Sequence, residues 1–220
     1  LSANGGAGGV ATGGTQNGAG GGGGRLTINY TTKTYTGALQ AFGGSGLQVG
    51  GAGTVWQKLS TATDGDVLID NNGVSGNTTN QVAAATWTIA NLTINKVTYL
   101  IPSGATTTVT TALTLTNDGG LTNNGTLATV GTSFSVTSPV AGSTLTNTGS
   151  LSLPVTWTMT NLTFTQNGTI SNASSVSLTL GTGATLEVQN TDTTTALSLA
   201  NLTIQSGGTL KHQANNSPKL

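Results

Sequence analysis

No cysteine occurs in the 220 residues, which excludes a disulfide framework, a thiolate metal site and a cysteine nucleophile. Charge is almost as scarce. Only 5% of residues are Asp, Glu, Lys or Arg, against about 25% in ordinary globular chains. Six basic residues balance six acidic ones, so neither a basic nucleic-acid surface nor an acidic tail is present. Near-zero net charge also leaves little repulsion between copies, which favours association. No apolar run approaches the ~20 residues of a membrane helix. No stretch carries a 3.6-residue apolar period, and the plentiful Thr, Asn, Val and Gly are mediocre or poor helix formers. The lone histidine, His212, would have to serve any Ser–His–acid triad, and nothing singles out a nucleophile or an orienting acid for it. Neither enzymatic activity nor a cofactor is expected.

What remains is β. Three times the chain spells one eight-residue phrase: Trp87 to Ile94, Trp157 to Phe164 and Leu197 to Ile204. Large apolar residues hold its first, third, sixth and eighth positions. Alternation by two marks a strand with one buried face, and the phase slips by one at the central Ala/Thr-Asn pair. Two short strands therefore meet at a corner, both turning apolar side chains inward. Asn91, Asn161 and Asn201 sit at that corner, and Asn tolerates left-handed backbone angles. The phase places Leu92, Ile94, Leu162, Phe164, Leu202 and Ile204 in the core.

A second regularity joins the first. Large apolar residues recur six apart across a turn, as in Leu115 to Leu121 and Leu145 to Leu151, with glycine fifth at Gly119, Gly125, Gly149, Gly168 and Gly208. Glycine there is expected to supply the positive φ of a tight corner. Strand, Asn corner, strand, Gly turn, strand is the layout of a right-handed parallel β-helix, a β-solenoid. Laps of about 20 to 25 residues predict roughly nine to eleven laps and a rod of roughly 45 Å. Asn-Gly pairs at Asn72, Asn124 and Asn167 are hairpin signals, and a sandwich of hairpins is the alternative all-β reading. It gives no reason for the repeated phrase.

The 220 residues are read as a single solenoid, 1–59 as Gly-rich, loop-bearing laps and 60–220 as more regular ones. A flexible linker is the alternative for residues 5–24. Gly20 to Ile28 followed by Gly50 to Trp56 resembles the Gly-rich repeats of very large secreted bacterial surface proteins, haemagglutinin- or adhesin-like, which are regarded as right-handed β-helices. Asn201 to Ile204 with Gly207 to His212 looks like such a repeat too. The resemblance implies an extracellular, cell-surface location and a structural or adhesive role, and it carries no catalytic residue to transfer.

Other chemistry is thinly represented. Asp64, Asp66 and Asp70 form the one acidic cluster, with Asp64 and Asp66 a weak calcium candidate. An EF-hand loop from Asp64 would need an acid where Ser75 stands. Gly18-x-Gly20-x-x-Gly23 matches a dinucleotide fingerprint, but a strand follows it where a helix is required. Trp87 and Trp157 fall in the inward phase, whereas Trp56 is not assigned. The expected function is a structural or adhesive segment of an extracellular bacterial fibre. A carbohydrate-active β-helix, acting as polysaccharide lyase or hydrolase or binding glycans, is the alternative. Ice binding through Thr-x-Thr sequences ranks below both, because Thr spacing along the chain is irregular. The expected partner is the chain itself, continuing a longer solenoid or stacking end to end, and possible glycan ligands come second.

Overall fold

The structure is a computed structural model that describes residues 1–10, 18–81, 85–129, 133–137, 142–189 and 197–212. Of the segment considered as a linker, residues 11–17 lie outside the described residues. Strand accounts for 49% and helix for 2% of the described residues. The first strands are β1 (Arg25–Tyr30), β2 (Thr54–Leu59), β3 (Gly65–Asp70), β4 (Thr79–Asn80), β5 (Thr86–Asn95), β6 (Thr98–Ile101) and β7 (Thr106–Thr116). Next come β8 (Gly120–Asn123), β9 (Thr126–Ala128), β10 (Ser133–Thr137), β11 (Ser143–Asn147), β12 (Ser150–Ser152) and β13 (Thr156–Met159). The last are β14 (Leu162–Gln166), β15 (Thr169–Ile170), β16 (Ser177–Leu180), β17 (Thr185–Val188), β18 (Asn201–Ile204) and β19 (Thr209–His212).

These strands form a β-solenoid of about 6 turns. One sheet stacks β4, β6, β8, β11, β14, β17 and β19. A second runs from β1 through β2, β3, β5, β7, β9 and β12 to β15, with β10 beside β7. The third holds β13, β16 and β18. Tyr99, Leu121, Leu145, Phe164, Leu186 and Leu210 occupy one column in register. Their numbers give laps of 19 to 24 residues, close to the expected length. The count of turns falls short of nine to eleven because parallel stacking at this spacing begins only at β3. β2 and β3 run antiparallel instead.

The interior is a column of aliphatic side chains. Leu113, Leu115, Leu121, Leu127, Leu145, Leu151 and Phe164 are fully buried, each contributing roughly 1.5–3 kcal/mol on removal from water. Trp157 stacks on Phe134 at 4.5 Å between ring centroids and lies 6.0 Å from Phe164. Of the expected core, Leu92, Ile94, Leu162 and Phe164 are buried, but Leu202 is 39% and Ile204 50% exposed. Their phase is inward, in register with buried Leu178 and Leu180; no described strand covers them.

The three copies of the phrase are not equivalent in space. The first lies within one long strand, β5, where a register shift between Ile89 and Asn91 absorbs the phase slip. The second does turn a corner, from β13 to β14, and Asn161 there has φ +50°. In the third, Leu202 stacks through Leu178 onto Trp157, so its sixth position shares a column with the second copy's first. Asn91 donates its amide to Asp66, and Asn201 donates to Ser177 Oγ at 3.1 Å.

The turn glycines serve close approach. Among the described glycines, positive φ occurs at Gly73, Gly104, Gly183 and Gly207, and at none of the five glycines singled out by spacing. Gly125, Gly149 and Gly168 stack on one another at one corner of successive laps. A Cβ at Gly149 would collide with the Gly125 carbonyl oxygen, and one at Gly168 with that of Gly149. Gly119 and Gly208 approach the carbonyls of Ile94 and Leu180 in the same way. The Asn-Gly pairs are not hairpins either: Asn72-Gly73 leads from β3 to β4 in a different sheet.

Ahead of β3, three glycine-rich segments, around residues 3–9, 18–24 and 41–53, hydrogen-bond to one another through their backbones. Gly21 N donates to Gly6 O at 2.9 Å, Gly44 N to Gly21 O at 2.7 Å and Gly23 N to Gly51 O at 2.9 Å. Side chains at Gly5, Gly20, Gly44 or Gly50 would overlap a neighbouring carbonyl. Asn71 ties this array to the first lap, accepting from Gly43 N at 2.7 Å and donating to Gly50 O at 3.3 Å.

Candidate functional site

The chemistry-bearing residues named from sequence are not brought together. Asp64, Asp66 and Asp70 are engaged by the next laps: Thr110 Oγ1 donates to Asp64 at 3.3 Å, Asn91 Nδ2 to Asp66 at 2.6 Å and Asn95 Nδ2 to Asp70 at 2.8 Å. Among the described residues, no group of three or more His, Asp or Glu is placed to hold a metal ion. His212 ends β19, exposed and in register with Val188.

Two features of the laps escaped the sequence reading. The first is a buried amide ladder at the glycine corner. Asn123 Nδ2 donates to Asn147 Oδ1 at 2.8 Å, and Asn147 Nδ2 donates to Gln166 Oε1 at 3.0 Å. Buried amides belong inside only when paired, and stacking in register pairs them. Asn123 Oδ1, at the ladder's upper end, has no partner. The visible signal was an Asn or Gln two residues before each of Gly125, Gly149 and Gly168. The second feature is a set of threonine columns on the outer faces. Thr144, Thr163, Thr185 and Thr209 align across four adjacent strands, although their sequence intervals differ.

The most distinctive surface is the end of the last lap. Among the described strands, β18 pairs only with β16, and β19 only with β17, so each presents an unpaired edge. Leu186, Val188, Leu197, Leu199, Leu202 and Leu210 line an open cavity of about 260 Å³ there. Leu210 is 46% exposed, while its column neighbour Leu186 is fully buried. Free N–H and C=O groups beside an apolar hollow form a template for a further strand and a further layer of side chains.

Burial pushes the Tyr99 phenol well above the usual tyrosine range, opposed by a hydrogen bond with Thr107 and by the positive charge of Arg25. Tyr99 Oη donates to Gln81 Oε1 at 3.3 Å, so the phenol is held neutral as a structural donor. No helix among the described residues is long and apolar enough to cross a membrane. No family model matches the chain, no curated protein matches it in sequence, and no solved structure matches it.

Proposed function

We propose that this chain is a structural or adhesive segment of an extracellular bacterial surface protein or fibre, elongated by further laps or by a second copy at its apolar end. The observation that carries the reading is the exposed last lap: unpaired edges of β18 and β19 around a hollow of leucines. Repeat arrays normally need polar capping units to stay soluble, and near-zero net charge adds no barrier to stacking. The Gly-rich resemblance to adhesin-like repeats supports a surface location. The role is mechanical and needs neither catalysis nor a cofactor.

Sedimentation and electron microscopy of the chain test this. Concentration-dependent end-to-end assembly is expected, and the double variant Leu202→Glu, Leu210→Glu should abolish it while keeping the β-rich circular dichroism spectrum. A monomer at all concentrations, indifferent to the double variant, would refute end-to-end stacking. Surface labelling of intact cells tests the location.

One observation favours a second reading, ice binding. Thr144 and Thr146 stand in register with Thr163 and Thr165 on a parallel sheet, a two-column array of threonines. Glu187 and Lys211 end the second column. Thermal hysteresis no greater than that of a charge-matched control protein eliminates this reading.

A further inference from the structure

At the opposite end, the groove between β1, β2 and β5 differs in kind from the leucine hollow. It encloses about 370 Å³, at the lower end of the roughly 300–1,000 Å³ common for small-ligand pockets. Two of the three tryptophans, Trp56 and Trp87, line it. Both are half-buried, packed on one side against the core, so their rings are held by the fold. Trp56 pairs with inward-facing Val67 and lies over Gly65, where a Cβ would meet its ring at 2.6 Å. Thr54, Thr86 and Thr88 join the lining.

Arg25 is the one charged residue among the lining residues, in a chain with only six cationic side chains. It forms no ion pair among the described residues. The antiparallel turn from β2 to β3 creates the space. β3 follows β5 only from Ile89 onward, so Thr86 to Thr88 pair with β7 alone and leave the groove's flank open.

Fixed aromatic faces accept the C–H faces of a pyranose ring, threonine hydroxyls exchange hydrogen bonds with sugar hydroxyls, and an unpaired guanidinium takes a carboxylate in a bidentate contact. We infer that this groove binds the end of an acidic glycan, a saccharide bearing a uronic- or sialic-type carboxylate, with Arg25 on the carboxylate and Trp56 and Trp87 against the ring. This deepens the adhesive side of the proposed function, and it rests on that reading for its biological setting. A groove of this volume fits one or two sugar rings and not an extended polymer strand.

Tryptophan fluorescence tests it, because Trp157 is buried away from the groove's lining while the other two tryptophans line it. The chain is titrated with trigalacturonate, with sialyllactose, with neutral lactose and with adenosine monophosphate. Saturable quenching by at least one acidic saccharide, stronger than by lactose, is expected. Arg25→Gln should weaken it roughly ten- to a hundredfold, the loss of one charge-assisted contact, without moving the urea midpoint, since Arg25 is exposed. Trp87→Phe should weaken acidic and neutral sugars together. No saturable quenching by either acidic sugar, equal response to lactose, preference for the nucleotide, or indifference to Arg25→Gln would each overturn the site. Filament formation by the unsubstituted chain is scored separately: filaments without sugar binding refute the groove alone, and binding without filaments refutes the stacking alone.

Discussion

The two ends of the solenoid solve one problem in opposite ways. Ahead of the first laps, glycine segments lie against one another and pair their backbone groups directly, with Asn71 and Thr79 joining them to the laps through Gly43, Gly50 and Ala52. At the last lap, β18 and β19 each have an unpaired edge among the described strands, and Leu202 and Leu210 line an open hollow. A lap is stable when something covers both its backbone edge and its apolar face. The glycine array supplies such cover at one end, and the other end leaves the requirement open to another lap. The difference separates an edge met by the glycine array from one that no described strand covers.

The sharpest break of this comparison lies within a single column. Leu178 and Leu202 are register partners, one buried and one 39% exposed. Leu178→Ala should cost about 2–5 kcal/mol, read as a shift of the urea midpoint. Leu202→Ala should cost less than about 1 kcal/mol in the isolated chain. In assembled filaments its cost should rise towards that of Leu178→Ala; equal small costs in both states would remove the leucine hollow from the interface.

The glycine array is tested next. Gly44→Ala places a methyl group against the Gly6 carbonyl, and should destabilise by about 1–3 kcal/mol. Gly6→Ala, with no atom within 4 Å of the new Cβ, should be close to neutral. Equal effects would mean that the array is not packed as described. Asn147→Ala removes both neighbours' partners in the amide ladder and should cost about 1–3 kcal/mol, whereas Asn124→Ala, outside that ladder, should cost less.

The smallest effect is a pH dependence. Because the folded-state pKa of Tyr99 is raised, its contribution is fully present below the unfolded tyrosine value of about 10 and is lost as pH rises above it. Tyr99→Phe should flatten the alkaline fall in stability, at a cost of about 0.5–1.5 kcal/mol at neutral pH for the hydrogen bond to Gln81. An unchanged alkaline limb would place the sensitivity elsewhere.

Much of the fold was legible. Alternation at Leu162-Thr163-Phe164 and Leu178-Thr179-Leu180 announces strands with one buried face, and the structure buries those side chains. The lap length was legible too, from the unit of strand, Asn corner, strand, Gly turn and strand. The glycines' reason was not. Spacing pointed to positive φ, while the Gly125, Gly149 and Gly168 corner is set by carbonyls of the lap above, a contact between residues about twenty apart. The threonine columns were hidden for a related reason. Laps of unequal length scatter Thr144, Thr163, Thr185 and Thr209 along the chain, and only register aligns them. The groove of Arg25, Trp56 and Trp87 was invisible, since β2 reverses against β3 to form it.

The sequence by itself determined that this protein is β, that its charge is sparse and balanced, and which side of its alternating strands turns inward, because period-two alternation and composition are local properties. Tertiary structure alone decided which lap each repeated phrase joins, where the amides pair and which leucines stay uncovered. Leu178 and Leu202 obey the same alternation, yet among the described strands only Leu178 has a lap on both sides: burial depends on the neighbour across the stack, and that neighbour is set by lap register, which no local pattern encodes.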